Sequence, residues 1–119
     1  MVLVDTSVWV DHLRRGQPKL IGLLEDGSVL THPFVIGELA CGNLSNRSEI
    51  LENFASLPAA VSAGSDEVLA LIESRRLWGR GIGWIDAHLL ASALLSHCPL
   101  WTLDKQLKQV AAGAGVRAL

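Results

Sequence analysis

Four of the twelve acidic residues, Asp5, Glu38, Asp86 and Asp104, lie inside or at the end of apolar runs, and any fold of this chain must give each of them a partner. A carboxylate stripped of water is disfavoured in its charged form, so it neutralises, pairs with a cation or coordinates one. In HPFVIGELACG, Glu38 read on a helix shares its face with Phe34, Val35, Cys41 and Gly42, and its charge is expected to point into an apolar stripe. In GWIDAHLLASALL the residues three, four and seven beyond Asp86 are Leu89, Leu90 and Ala93, which strengthens the same expectation. Neither acid opens its helix in this reading, and neither has a base at ion-pair spacing. Asp11, with Arg14 and Arg15 three and four residues on, reads instead as an ordinary surface pair.

The other two acids follow strand-like runs. VLVD ends in Asp5 and LWTLD ends in Asp104. In open α/β sheets, ligands bind outside the carboxyl ends of the strands, so both aspartates stand in the right kind of place. Punctuation orders the rest. Residues 2 to 5 read as a strand, and Thr6 or Ser7 is expected to cap a helix running to Gly16. Pro18 opens a short helix ending at Gly27, residues 28 to 32 form a second strand, and Pro33 starts the Glu38 helix, which stops near Gly42. Ser45 is expected to cap a helix closed by Pro58, with a weak strand near Val61. Ser65 starts a helix through Trp78, GRGIG interrupts, and the Asp86 helix extends to about His97. After Pro99 come the strand LWT, a helix over KQLKQVAAG capped by Asp104, and a last strand in VRAL. Strands alternating with helices predict an α/β fold with a mostly parallel sheet, and 119 residues suit one domain, 1 to 119, around one core.

Composition excludes several classes. Asp86 and His88 interrupt the longest apolar run, so no membrane span is expected, and no basic region followed by an apolar stretch marks an export signal. Cys41 and Cys98 lack metal-type spacing and fit a reduced, cytoplasmic chain. The net charge of −2 by itself argues against a nucleic-acid partner, but setting the four unusual acids aside leaves eight acids against ten bases. Arg14 with Arg15, and Arg75, Arg76 and Arg80, also cluster. A hydrophobic share of 50% and a mean hydropathy of +0.35 are high for this length, so some apolar surface is expected to be covered by a partner.

Taken singly, Asp104 is a good helix N-cap and Asp5 a plausible turn residue. Taken together, the four acids point to a cation, because two carboxylates about 4 Å apart repel by roughly 4 kcal/mol at an effective dielectric near 20. An all-oxygen site selects a hard ion, Mg²⁺ or Mn²⁺, rather than zinc. His12, His32, His88 and His97 show no zinc-protease spacing and read as structural or surface residues. The glycines at 79, 81 and 83 follow a helix and lack a phosphate-loop pattern, which makes them a turn. The four tryptophans read as mostly core.

Four segments in order, VDTSVWVDHLR, VIGELACG, IDAHLLASALL and LWTLDKQL, resemble the signature segments of PIN-domain ribonucleases, and among them the VapC-type toxins of toxin–antitoxin pairs. The likeness spans essentially the whole chain. It implies a Rossmann-like α/β/α sandwich, Mg²⁺- or Mn²⁺-dependent cleavage of RNA, a homodimer, and a cognate VapB-type antitoxin. By position, Asp5, Glu38, Asp86 and Asp104 match the acidic set, which holds the metal and is catalytic, and Ser7 and Thr102 match its supporting hydroxyls. Asp5 and Asp86 are the expected direct ligands. A phospho-accepting receiver-like domain is the rival enzyme-like reading, but no Asp occurs between Asp26 and Asp66 to accept the phosphoryl group. A non-catalytic binding module is the other, and it leaves Glu38 and Asp86 without a cause.

Overall fold

The computed structural model describes residues 1–119. Three short strands, β1 (Val2–Val4), β2 (Val29–Leu30) and β3 (Leu100–Trp101), pair in an all-parallel sheet with β1 in the centre. Their residues are buried throughout, which is why the runs are apolar rather than alternating. Parallel strands require crossovers, and helices supply them. Helices α1 (Thr6–Arg15) and α2 (Pro18–Glu25) carry the chain from β1 to β2. The return past β1 to β3 uses α3 (Pro33–Ala40), α4 (Arg47–Ser56), α5 (Ser65–Arg75) and α6 (Trp84–Leu95), and α7 (Lys105–Gly113) follows β3. The connections leave β1 to one side and come back on the other, so the strand order reverses there. A crevice opens at such a point, outside the carboxyl ends of β1 and β3.

Helix α6 is the centre of the packing. Every residue from Ala87 to Ala93 is buried, as expected of a helix that is apolar on all sides. Small residues let α5 approach it, with Ala63, Val68, Ala87 and Ala91 forming a separate buried cluster. The main core joins Leu3 and Val4 of β1 with Val8, Leu20, Val35, Leu89 and Leu90 of the two crossovers and Leu107 of α7.

Several boundaries differ from the sequence reading for identifiable reasons. The strand expected near Val61 is one parallel bridge, Thr31 to Ala59, because the Val61 N–H turns away to Ser96 Oγ at 2.9 Å. The strand expected in VRAL is likewise one bridge, Leu100 to Ala118. Asp5, rather than Thr6 or Ser7, caps α1. Asn46, not Ser45, precedes α4, in a left-handed conformation at φ 52° and without a side-chain bond. Helix α5 ends at Arg75 instead of running through Trp78, because Arg76 adopts φ 53°. No helix is long and apolar enough to cross a membrane.

The bend between α5 and α6 is held against the start of α7, where Gln106 Nε2 donates to the Arg80 carbonyl. Gly81 makes this possible: it sits at φ +83°, and a Cβ there would lie 2.9 Å from Gln106 Cγ. Gly81→Ala should therefore destabilise the fold by roughly 1–2 kcal/mol, the cost of an L-residue in a left-handed conformation. Gly22 lies in α2 with open space around it, so Gly22→Ala should stabilise by about 0.5–1 kcal/mol. Urea denaturation midpoints of the two variants should move in opposite directions.

Candidate active site

Asp5 is the most constrained of the four acids. It is 6% exposed, yet both of its oxygens are satisfied. Oδ1 accepts the Thr6 N–H at 2.8 Å, while Oδ2 accepts the hydroxyls of Ser7 and Thr102, each at 2.7 Å. Ser7 Oγ in turn accepts the Leu103 N–H, and Thr102 Oγ1 accepts the Asp104 N–H, both at 3.0 Å. The two hydroxyls thus bind the end of β1 to the segment after β3. A carboxylate held by several donors keeps one orientation.

Asp104 opens α7, as the sequence reading allowed, and its Oδ1 accepts from Gln106 N at 2.9 Å and Leu107 N at 3.2 Å. Its Oδ2 has no protein donor, and the side chain is exposed at the crevice.

Glu38 departs from expectation. It is exposed rather than turned into an apolar stripe, because Val35 and Leu39 form the buried face of α3 and leave Phe34, Glu38 and Cys41 outside it. Its Oε1 accepts the Thr6 hydroxyl at 2.7 Å, which brings it to the residue beside Asp5. Sequence reasoning missed Thr6 in this role; the signal was a hydroxyl directly after a strand-end aspartate.

Asp86 also departs. It does open its helix: it stands in the first turn of α6 and its Oδ2 accepts the Gly83 N–H at 3.1 Å. It remains half-buried, and its pKa is raised. Burial is the leading cause, opposed by the Gly83 bond and reinforced by the charges of Asp5, Asp104 and Glu38. All four acids therefore act on one region although four separate segments deliver them. No base offsets them, since Arg15 with Asp11 is the one ion pair in the structure. Nor are any three of these side chains already drawn in to the spacing that holds a metal ion.

The histidines are not surface residues at this point of the fold. His32 and His88 are 2% and 4% exposed, and the Nε2 of each is buried without a partner. Burial lowers both pKa values, and His88 lowers that of His32 further. His32 Nδ1 accepts the Phe34 N–H at 3.0 Å and so caps α3. His88 contacts Phe34 and Trp84, each with ring centroids 4.6 Å away. The tryptophans divide: Trp9 and Trp101 are buried, whereas Trp78 and Trp84 are exposed.

An apolar groove of about 190 Å³ lies away from the acids, lined by Trp9, Leu13, Leu24, Ile50, Phe54 and Leu57 among others. A second depression of about 360 Å³ adjoins it and reaches Glu38 and Arg14.

A parallel α/β fold with carboxylates at the mouth of its switch-point crevice agrees with the comparisons to known proteins. The family model for the PIN domain matches residues 2–113. Ribonuclease VapC32 of Mycobacterium tuberculosis, in strains H37Rv and CDC 1551 / Oshkosh, is 49% identical over 117 residues, covering 98% of this chain and 94% of the relative. Among solved structures, FitAB bound to an IR36 DNA fragment contains a chain that superposes with a TM-score of 0.66 at 18% identity, over 100% of this chain and 94% of that one. PAE2754 from Pyrobaculum aerophilum gives 0.64 at 19% identity, over 98% and 82%. The chain belongs to the PIN domain family.

The raised pKa of Asp86 makes stability depend on pH in a defined direction. The folded chain takes up this proton at higher pH than the unfolded chain does, so the cost of the charge is present at neutral pH and fades as pH falls through the raised value. Asn keeps an oxygen for the Gly83 N–H and removes the charge. In chelator at neutral pH, Asp86→Asn should be at least as stable as the natural chain, and the difference should close as pH approaches the ordinary aspartate value of 3.8. Urea melts across that range measure it, and a variant less stable at neutral pH would refute the cost of the half-buried charge.

Proposed function

We propose that the chain, read as a single PIN domain over residues 1–119, is a Mg²⁺- or Mn²⁺-dependent endoribonuclease and the toxin of a type II toxin–antitoxin pair. The observation that carries the reading is that the charges of Asp5, Asp104 and Glu38 all act on the half-buried Asp86, while no base is paired with any of the four. The relative named Ribonuclease VapC32, matched over nearly all of both chains, supports RNA as the substrate and an antitoxin as the partner.

The residues fit a hard cation in kind. The donors are all oxygen, and like charges in a partly desolvated crevice stay ionised together when a cation joins them. Asp5 is the natural anchor because its orientation is fixed, and Asp86 is the second direct ligand. Glu38 and Asp104 would complete the set. A divalent cation held there supplies positive charge for the scissile phosphate and acidifies the attacking water. Ser7 and Thr102 contribute by fixing the Asp5 carboxylate, and Thr6 by aiming Glu38. Free Arg14, Arg76 and Arg80 at the surface suit a polyanionic substrate.

Other readings lose their footing on the same observations. A receiver-like domain needs a phospho-accepting Asp at a mid-chain strand end, and the residues after β2 are Thr31 and His32. A binding module gives the clustered acids no purpose.

The antitoxin partner has a matching surface. A hydrophobic groove was expected between the first two helices and the Glu38 helix; the structure forms it from α1, α2 and α4, with the adjoining depression leading to Glu38. A short amphipathic VapB-type segment there would place a basic side chain against the carboxylates. We assign the chain to the cytoplasm and to a homodimer on the same reading.

Cleavage of single-stranded RNA should stop in chelator, return with Mg²⁺ or Mn²⁺, and fall on the order of a hundred-fold or more in Asp5→Asn and in Asp86→Asn while far-UV circular dichroism is kept. Full activity in chelator, or in both variants, would refute the assignment. Expression of the chain alone should arrest growth, and co-expression of a small antitoxin encoded beside it should relieve the arrest. Growth unaffected by an active, folded enzyme would remove the toxin role and leave the nuclease.

A further inference from the structure

Large aromatic rings in water need a reason when they sit beside a catalytic crevice. Trp84 is 43% exposed and Phe34 37%, and both stand on the helices that deliver the acids. Phe34 lies one turn before Glu38 on the same face of α3, and Trp84 opens α6 two residues before Asp86, on the side of that helix that carries His88. A single buried residue splints them. His88 meets Phe34 at an interplanar angle of 62° and Trp84 at 85°, both edge contacts, so each ring is fixed in place without an aromatic partner stacked face to face. The third contact, His32 with Phe34, is also edge-on.

The neighbouring bend carries the complementary charge. Between α5 and α6, Arg76 and Arg80 are exposed and pair with no carboxylate, and Trp78 between them is 58% exposed. Gln106 holds this bend against α7, two residues from Asp104. Exposed aromatics interleaved with free arginines, adjoining carboxylates, match the needs of an unpaired polynucleotide: bases stack on rings and phosphates meet guanidinium groups. A double helix keeps its base faces stacked on one another, so it cannot use such rings.

We propose that Phe34 and Trp84, splinted by His88, are a base-stacking platform that seats single-stranded RNA against the carboxylates, with Arg76 and Arg80 contacting its phosphates. The proposal rests on the ribonuclease reading above and adds to it how the substrate is positioned and why it must be unpaired. Stacking tolerates any base, so the platform selects single strands rather than a sequence.

The test measures binding of an unstructured oligoribonucleotide of about ten nucleotides, within the span of known single-strand sites. It is carried out in chelator and in the Asp86→Asn background, which relieves repulsion and blocks cleavage. Trp84→Leu keeps apolar bulk but removes the π face, and should weaken binding roughly ten-fold, the scale of one stacked base; Phe34→Leu should do the same. Trp84→Phe should retain most of the affinity. In the otherwise natural, metal-loaded enzyme, Trp84→Leu should raise KM more than it lowers kcat, and the same sequence presented as a duplex should be a poor substrate. Light scattering on each variant reports self-association, which should not change. Unaltered RNA affinity in both Leu variants would overturn the platform, as would their conversion to monomers, which would mark the rings as a subunit interface. Cleavage by the natural chain alongside unaltered variants sinks the platform alone, whereas a natural chain that neither binds nor cleaves RNA sinks it together with the ribonuclease reading.

Discussion

Asp5 is the constraint around which the molecule is arranged. A carboxylate that is nearly inaccessible to water is costly unless its lone pairs are used, and here three donors from two parts of the chain use them. Two of these bonds are local: the Thr6 N–H bond caps α1, and the Ser7 hydroxyl bonds the other oxygen. The third comes from Thr102, ninety-seven residues away. Through it the central strand, the first helix and the exit of β3 are fixed as one unit, and Asp104 follows at a set position because its own N–H is bonded to Thr102. The same interaction that satisfies a buried charge therefore also builds half of the candidate site.

The other half is gathered by helix starts. Asp86 accepts the N–H of Gly83, the residue that caps α6, and Asp104 accepts two N–H groups in the first turn of α7; at both helix starts the partial positive charge of the terminus favours a carboxylate. That local stabilisation offsets part of the cost of setting Asp86 near the other three charges. It is incomplete: Asp86 still has a raised pKa, chiefly from burial and then from the other three charges. Stability is thus given up at the place where a cation would restore it. The packing of α6 supports this arrangement, since a helix buried along seven consecutive residues cannot shift to relieve the repulsion.

Much of this was legible in the chain. Apolar, β-branched runs ending in aspartate announced parallel strands and a site at their carboxyl ends, and Pro18, Pro33 and Pro99 set boundaries that the structure keeps to within a residue or two. The errors share a cause. Asp86 is half-buried as its apolar setting implies, and only its place at the start of α6 is missed; Glu38 is the acid that helical periodicity misplaces, because periodicity gives only which residues share a face. Which face meets the core is set by the neighbouring elements. For Glu38 the choice of Val35 and Leu39 as the buried pair turned the acid outward, towards Thr6. Trp78 and Trp84, which composition assigns to the core, are exposed for the same reason, since hydrophobicity alone does not say which large rings stay outside.

By itself, then, the sequence determined the kind of fold, the four acids and the oxygen-only character of their chemistry, because strand-end aspartates, helix breakers and unpaired carboxylates are local properties that residue order carries. The tertiary structure alone decided that the charges of Asp5, Glu38 and Asp104 act on Asp86, that Thr6, Ser7 and Thr102 hold two of the acids in place, and that His88 joins two exposed rings on the helices that carry Glu38 and Asp86. Those outcomes depend on contacts between residues far apart in the chain. Such contacts follow from how the helices pack around β1, and no window of sequence contains that.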